Sequence, residues 1–348
     1  MRTAKAKLRA SGKVGFAVVG LGTIARVAIL PAFANSKRAK LIAVVSREKE
    51  KAARLAREFG ASHAYSLPNY SECLGNDKIQ AVYIATPQGE HAPRATAAAR
   101  AGKHVLCEKP LAATFEQASR MVRACRQHKV MLMTAYRKYF EPASRYMKRL
   151  IAEGALGRLD VIHTAFSELY RPQHSPAWLI NKKLSGGGPL TDLGVYCINT
   201  GRWLAGEQPV EASAREWRHN KKRFRSVEEG VAFSLHFPSG LVMQAATTYS
   251  AAISSFLYVQ GEKGWLSLSP AFTFEDARRL TGKIGGRTID RTFPVLDEFA
   301  LELDAFARAI QTGIPVEPDG EQGKIDVAII RAVYESARNG KMVRIRYT

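Results

Sequence analysis

Apolar and polar positions alternate in blocks along the first third of the chain. Val14-Gly15-Phe16-Ala17-Val18-Val19 is a short, almost wholly apolar run closed by Gly20-Leu21-Gly22, as expected of a strand buried on both faces. Thr23 to Asn35 reads as a helix that Pro31 should kink or interrupt, because proline lacks the amide and crowds the preceding turn. The rhythm then repeats. Strands are expected at Leu41–Val45, Ala81–Ala85, His104–Cys107 and Val130–Thr134. Helices are expected at Glu48–Phe59, Glu90–Ala101 and Thr114–His128, the first two closed by Gly60 and Gly102. Strands alternating with helices imply parallel pairing through right-handed crossovers, hence a doubly wound sheet.

After Tyr136 the pattern changes. A helix is expected over Pro142–Glu153, then a long loop rich in Ser, Pro and Gly from Tyr170 to Pro189. Strand-like stretches follow at Val231–Phe237, Leu241–Tyr249 and Phe256–Gln260, divided by turns such as Pro238-Ser239-Gly240, and helices return at Asp297–Gln311 and Lys324–Arg338. The fold expected is an α/β Rossmann domain plus an α+β C-terminal domain with a largely antiparallel open sheet. The divisions are a basic N-terminal arm over 1–12, a dinucleotide-binding domain over 13–135, and a substrate-binding and oligomerisation domain over 136–348.

Composition narrows the function classes. A chain of 348 residues suits about two domains, and 46% hydrophobic with 24% charged residues excludes wholesale disorder. No apolar run approaches the roughly 20 residues that span a bilayer, so no membrane partner is expected. Met1 to Lys13 lacks the apolar core of a secretory signal, so export by that route is not expected either. Cys73, Cys107, Cys125 and Cys197 lie far apart, which excludes a disulfide scaffold and common zinc patterns, predicts no metal, and suits a reducing cytoplasm. The formal charge of +21, the five cations of Met1–Lys13 and the cluster Lys221-Lys222-Arg223-Phe224-Arg225 raise nucleic acid as a partner. No nucleic-acid module accompanies them, and they read as a solvated basic face.

Three constellations carry chemistry. Gly20-Leu21-Gly22-Thr23-Ile24-Ala25 follows a buried strand and opens a helix. Gly20 permits the tight turn, Gly22 lets backbone approach a pyrophosphate, and the helix start at Thr23 and Ile24 offers free amides. The second strand ends in Ser46-Arg47 with no acid at its tip, which predicts NADP over NAD, since a 2′-phosphate wants a cation. The competing reading leaves Arg47 solvated and turns Glu48 inward to the ribose. The strand His104–Cys107 ends in Glu108-Lys109-Pro110, and ligands gather at carboxyl ends of strands, so Lys109 should face the cofactor crevice.

Four segments together resemble the Gfo/Idh/MocA oxidoreductase family: the Gly20–Ala25 turn, Thr86-Pro87-Gln88 with His91, the run Ala101 to Leu111 containing Glu108-Lys109-Pro110, and Ser185-Gly186-Gly187-Gly188-Pro189-Leu190-Thr191-Asp192-Leu193-Gly194. The resemblance implies hydride exchange between NAD(P) and a carbohydrate or cyclitol hydroxyl. It also implies a mostly antiparallel second sheet whose open face pairs subunits as a homodimer or homotetramer. It assigns Thr86, Pro87, His91, Glu108, Lys109 and Arg137 to the cofactor side; Arg137, in the inter-domain segment Tyr136–Pro142, is equally open to a substrate contact or to a structural ion pair. Trp178 is expected to line the sugar site.

The family usually follows its glycine loop with Asp-x-Gly-x-His-x-x-Asp, the histidine serving as acid/base. Here the segment is Asp192-Leu193-Gly194-Val195-Tyr196-Cys197-Ile198-Asn199. Tyr196 in place of histidine looks like the glucose-fructose oxidoreductase branch, which includes aldose dehydrogenases. On a regular helix Tyr196 lies one turn beyond Asp192 on the same side. A free tyrosine titrates near 10, so a neighbouring ammonium is needed to favour its phenolate. The reading is therefore Tyr196 as proton acceptor, Lys109 as activator and hydrogen-bond donor, and Asp192 as the group that orients substrate or Lys109. Two alternatives stand beside it: Tyr196 as a core aromatic, and the whole chain as a non-catalytic NADP-binding sensor or interaction protein.

Overall fold

The computed structural model describes residues 12–348, so the basic arm, apart from Gly12, lies outside the described residues. Six strands, β1 (Val14–Val19), β2 (Ala39–Ser46), β3 (His63–Ser66), β4 (Ala81–Ile84), β5 (His104–Glu108) and β6 (Leu132–Ala135), form one sheet in the order β3-β2-β1-β4-β5-β6. All its pairings are parallel. Every residue of β1 is buried, as its unbroken apolar run requires. The strand order reverses between β1 and β4, which opens the crevice beside Gly20. Strand β3 escapes the apolar pattern because it is a short edge strand with no buried residue.

Pro31 does not interrupt its helix. The segment from Thr23 stays helical to Asn35, and Ala25–Ile29 forms a π turn just ahead of the proline. The wider turn moves the carbonyl that the pyrrolidine ring would otherwise strike.

The second sheet holds β7 (Leu159–Ser167), β8 (Glu211–Trp217), β9 (Gly230–His236), β10 (Val242–Thr248), β11 (Ser254–Gly261), β12 (Gly264–Ser269), β13 (Arg278–Ile284), β14 (Arg287–Phe293) and β15 (Val343–Arg344). Their order is β14-β13-β12-β11-β7-β10-β9-β8-β15, and only β7 with β10 runs parallel. The helices Pro142–Ala152, Val195–Ala205 and Gly320–Asn339 cover one face. The Tyr170–Pro189 loop contains two short helical turns, Ala177–Ile180 and Lys182–Ser185.

The sheets divide near residue 136, but their cores do not. Helix Glu298–Thr312 returns to the first sheet, where Phe299, Leu303, Phe306 and Ala307 join the core of β1 and β2. The Phe306 ring lies 6.2 Å from Phe16. Helical periodicity marks which residues are inward but not which sheet they cover. Among the described residues no helix is long and apolar enough to cross a membrane.

Candidate active site

The glycine turn is built for close approach. Gly20 has φ +95°, and a Cβ there would sit 2.6 Å from the carbonyl oxygen of Ala85. Gly22 has open space around it and is exposed. The amides of Thr23, Ile24 and Ala25 open a helix and have no carbonyl one turn earlier to engage. Across the turn, Thr86 Oγ1 and Gln88 Oε1 are buried with no hydrogen-bond partner. A glycine cradle, free amides and two orphaned polar atoms fit a bound dinucleotide.

At the tip of β2, Ser46 is buried and its hydroxyl accepts from the Glu48 amide at 3.2 Å. The Arg47 side chain is largely exposed, 3.9 Å from Glu90. Glu48 does not turn inward: its side chain is equally exposed and lies 3.7 Å from Lys51. His91 needs a correction. It is fully buried, with Nε2 2.8 Å from the Thr86 carbonyl and Nδ1 3.2 Å from that of Leu111. Burial pushes its pKa below the ordinary histidine value. A neutral ring has one N–H, so His91 donates to one of these carbonyls, and both its nitrogens face backbone between the Thr86 loop and the Lys109–Leu111 loop.

Lys109, Asp192 and Tyr196 converge although 83 residues separate the first two. Lys109 Nζ donates to the Asp192 carbonyl at 2.7 Å and to Asp192 Oδ1 at 3.0 Å. It also lies 4.7 Å from the centroid of the Tyr196 ring. The ammonium thus meets the tyrosine through its face, while its hydrogen bonds go to Asp192. Burial alone would lower the Lys109 pKa, but Asp192, Tyr196 and Glu108 outweigh that and hold it above the ordinary lysine value. The ammonium form of Lys109 is therefore the one its surroundings favour. Asp192 stands in a π turn, Leu190–Gly194, which leads into the Val195–Ala205 helix; a regular turn was expected. Such wide turns re-aim side chains at functional sites.

Several supporting groups carry no local sequence signal. Tyr249, just past β10, donates to Asp192 Oδ2 at 2.9 Å. Burial and the Asp192 carboxylate hold the Tyr249 phenol well above its usual range. Glu228 accepts from the amides of Gly188 and Leu190, each at 3.0 Å, and from the Tyr334 hydroxyl at 2.8 Å. This clamp fixes the glycine loop that delivers Asp192. Only the Gly186–Gly188 run itself hinted that backbone there is closely approached.

Arg137 is buried against the Tyr196 ring. Its guanidinium carbon is 5.1 Å from the ring centroid, and it bonds Glu298 and the Phe272 carbonyl. Lys138, Arg278 and Glu141 complete a sealed network around Glu298. Asn199, where the family carries its second acid, is buried and donates to Asp326 at 2.8 Å. Trp178 is half-buried in its single turn, and no hydrogen bond or ring contact among the described residues joins it to the Lys109 group.

Residues 14–136 match the oxidoreductase family with an NAD-binding Rossmann fold, and residues 144–267 match the GFO/IDH/MocA C-terminal domain. The D-xylose 1-dehydrogenase [NADP(+)] of Haloarcula marismortui is 33% identical over 335 residues, spanning 95% of this chain and 93% of that protein. The structure of an aldose-aldose oxidoreductase from Caulobacter crescentus complexed with glycerol superposes with a TM-score of 0.90 at 34% identity, covering 96% of this chain and all of that one. A levoglucosan dehydrogenase in complex with NADH and levoglucosan superposes at 0.86 with 25% identity, covering 96% and 99%. With both halves matched and the glycine turn, the Glu-Lys-Pro strand end and the Asp192 loop meeting at one crevice, this chain belongs to the GFO/IDH/MocA oxidoreductase family.

Proposed function

We propose that this protein is an NADP-dependent sugar oxidoreductase that oxidises the C1 hydroxyl of a cyclic aldose to the lactone, or runs the corresponding sugar reduction. The observation that carries this reading is Lys109 Nζ, held on Asp192 while lying 4.7 Å from the Tyr196 ring centroid at the end of β5. The relatives support it: one is named an NADP-linked xylose dehydrogenase and another an aldose-aldose oxidoreductase.

Gly20, Gly22, Thr23, Ile24, Thr86, Pro87 and Glu108 would hold the dinucleotide, and Ser46 with Arg47 its 2′-phosphate. When bound, NADP supplies the hydride acceptor at nicotinamide C4. The protein's own residues handle the proton. Tyr196 takes it from the sugar hydroxyl. Lys109 keeps its charge beside that phenol and offsets the negative charge passing through it. Asp192, with one oxygen on Lys109 and the other on Tyr249, stops the ammonium from swinging away. Trp178 offers an aromatic wall suited to the apolar face of a sugar ring.

A second copy of the chain is the partner we assign to the uncovered face of the nine-stranded sheet. Phe256, Tyr258 and Trp265 stand there, the last two stacked at 5.7 Å, with the His163 ring 6.1 Å from Tyr258. Light scattering of the purified protein should give a dimer or tetramer; a monomer at micromolar concentration removes this assignment.

The function is tested by releasing any bound nucleotide and offering aldoses singly and as donor–acceptor pairs while following nicotinamide absorbance. Turnover with an aldose and NADP is expected. Tighter binding of NAD than of NADP overturns the coenzyme assignment, and silence with every sugar pair overturns the activity.

A further inference from the structure

Behind Lys109 lies a second acidic group that no step above uses. The Tyr83 hydroxyl, on β4, is 2.9 Å from Glu108 Oε1 and 3.2 Å from Glu302 Oε2. Glu302 comes from the returning helix Glu298–Thr312 and is fully buried. A phenol has one proton to donate. If both carboxyl groups were ionised, one of these contacts would set lone pair against lone pair. One carboxyl must carry its own proton and donate to Tyr83 Oη.

The surroundings choose which. Burial pushes the Glu108 carboxyl above its ordinary range as well, but Glu108 keeps partial exposure, accepts from the Lys109 amide at 3.3 Å and lies next to that residue's ammonium, which opposes the rise. Glu302 has no hydrogen-bonded cation. Burial is the largest influence against its charge, and of the charged and titratable groups facing it, Glu108 and Glu298 disfavour a second negative charge while Tyr83 and Arg137 favour it. Its other oxygen, Oε1, is buried with no partner. Such an orphan is costly for a carboxylate and much less so for the carbonyl oxygen of a neutral acid.

We propose that Glu302 is held as a neutral carboxylic acid and is a positioning residue for the active site, donating to Tyr83, which in turn donates to Glu108. The chain Glu302–Tyr83–Glu108 ties the returning helix to the carboxyl end of β5, one residue before Lys109. It leaves the Glu108 carboxylate ionised, satisfied and aimed. The protonation state is independent of the proposed activity; the positioning role rests on Lys109 acting as proposed above.

The test is infrared spectroscopy of the intact protein at about pH 8, far above the ordinary glutamate range. The difference spectrum of wild type against Glu302→Gln should contain a protonated-carboxyl stretch that shifts in D2O. Tyr83→Phe should keep that band and move it to higher frequency, because the acid loses its acceptor. A difference spectrum showing only carboxylate bands overturns the protonation. The positioning role is read separately from kinetics. Glu302→Gln can still donate to Tyr83 and should stay within about twofold of wild-type kcat, whereas Glu302→Ala, leaving Tyr83 bonded to Glu108 alone and untied from the returning helix, should lose about tenfold or more with little change in KM. Equal losses for Gln and Ala in folded protein overturn the positioning role. A band present without any sugar turnover overturns the proposed activity and spares the neutral acid.

Discussion

Two charged groups meet at the Tyr196 ring and use the same chemistry for different ends. In the front group, Lys109 and Asp192 keep 11% and 23% side-chain exposure. In the rear group, Arg137, Lys138, Arg278, Glu141 and Glu298 are all 5% exposed or less. The front group is one ion pair with a tyrosine hydroxyl on it. The rear is three cations around two carboxylates, drawn from the inter-domain segment, β13 and the returning helix. An ion pair that keeps some water can exchange partners with a substrate. A sealed network cannot, and any member removed leaves the others unpaired in low dielectric. Exposure, more than charge, divides the group proposed for catalysis from the architectural one.

The largest expected effect comes from the ring between them. Tyr196→Phe keeps the aromatic face that both Lys109 and Arg137 pack on, so the fold and NADP affinity should persist. Removing the phenol oxygen should lower kcat by roughly 10²–10⁴-fold, the usual worth of a positioned acid or base. Lys109→Met should fall in the same range for the front group. An unchanged rate in Tyr196→Phe would strip the front group of its catalytic reading.

The rear group should answer in stability. Glu298→Leu removes the carboxylate shared by Arg137, Lys138 and Arg278, leaving only Glu141 among them. The cost expected is about 3–5 kcal/mol, read as a shift in the urea midpoint. A loss below about 1 kcal/mol would mean that water enters the network and that the contrast with the front group is overdrawn.

The sequence exposes these two groups unequally, and the reason is physical. Local backbone requirements leave local marks: the unbroken apolar run of β1, the glycine that alone tolerates φ +95°, and the stop after Glu108-Lys109-Pro110. The parallel sheet and the positions of Lys109, Asp192 and Tyr196 follow from such marks and from the family likeness. Glu298 meets Arg137 across 161 residues, Glu302 meets Tyr83 across 219, and Tyr334 meets Glu228 across 106. No spacing rule links side chains at that range, and a single acid on an amphipathic helix reads as solvated. The π turns ahead of Pro31 and at Asp192 leave no mark for a related reason, since hydrophobic periodicity does not distinguish a π turn from the regular turn it replaces.

The pH dependence sharpens the comparison further. Burial, only partly offset by Glu298 and Glu141, pushes the Lys138 pKa down to about 8 from the usual 10.5. Between those values the unfolded chain binds more protons at this residue than the native chain, so its contribution makes stability rise with pH. Below about 8 both states are protonated and the slope vanishes. Buried tyrosines and cysteines with raised pKa act oppositely at alkaline pH, and they cancel when wild type is compared with Lys138→Met. The difference in unfolding free energy should favour wild type progressively from about pH 8 to 10, by at most about 1.4 kcal/mol per pH unit. A flat difference would mean that Lys138 stays charged and fully paired.

The smallest effect is expected one residue along β13 from the sealed network. Arg278 and Arg279 are adjacent, and strand alternation sends them to opposite faces. Arg278 is 1% exposed and bonds Glu298 and two backbone carbonyls. Arg279 makes a two-pronged contact with Asp290 on β14, at 2.9 and 2.6 Å, in open solvent. By geometry alone the outer pair is the better formed. Water and salt screen it, and two long side chains must be ordered to hold it. Arg279→Gln should therefore leave the urea midpoint unchanged within error at about 0.15 M salt, while Arg278→Gln lowers it clearly. Similar losses from both would make contact geometry, not sealing, the quantity that separates the charged groups of this protein.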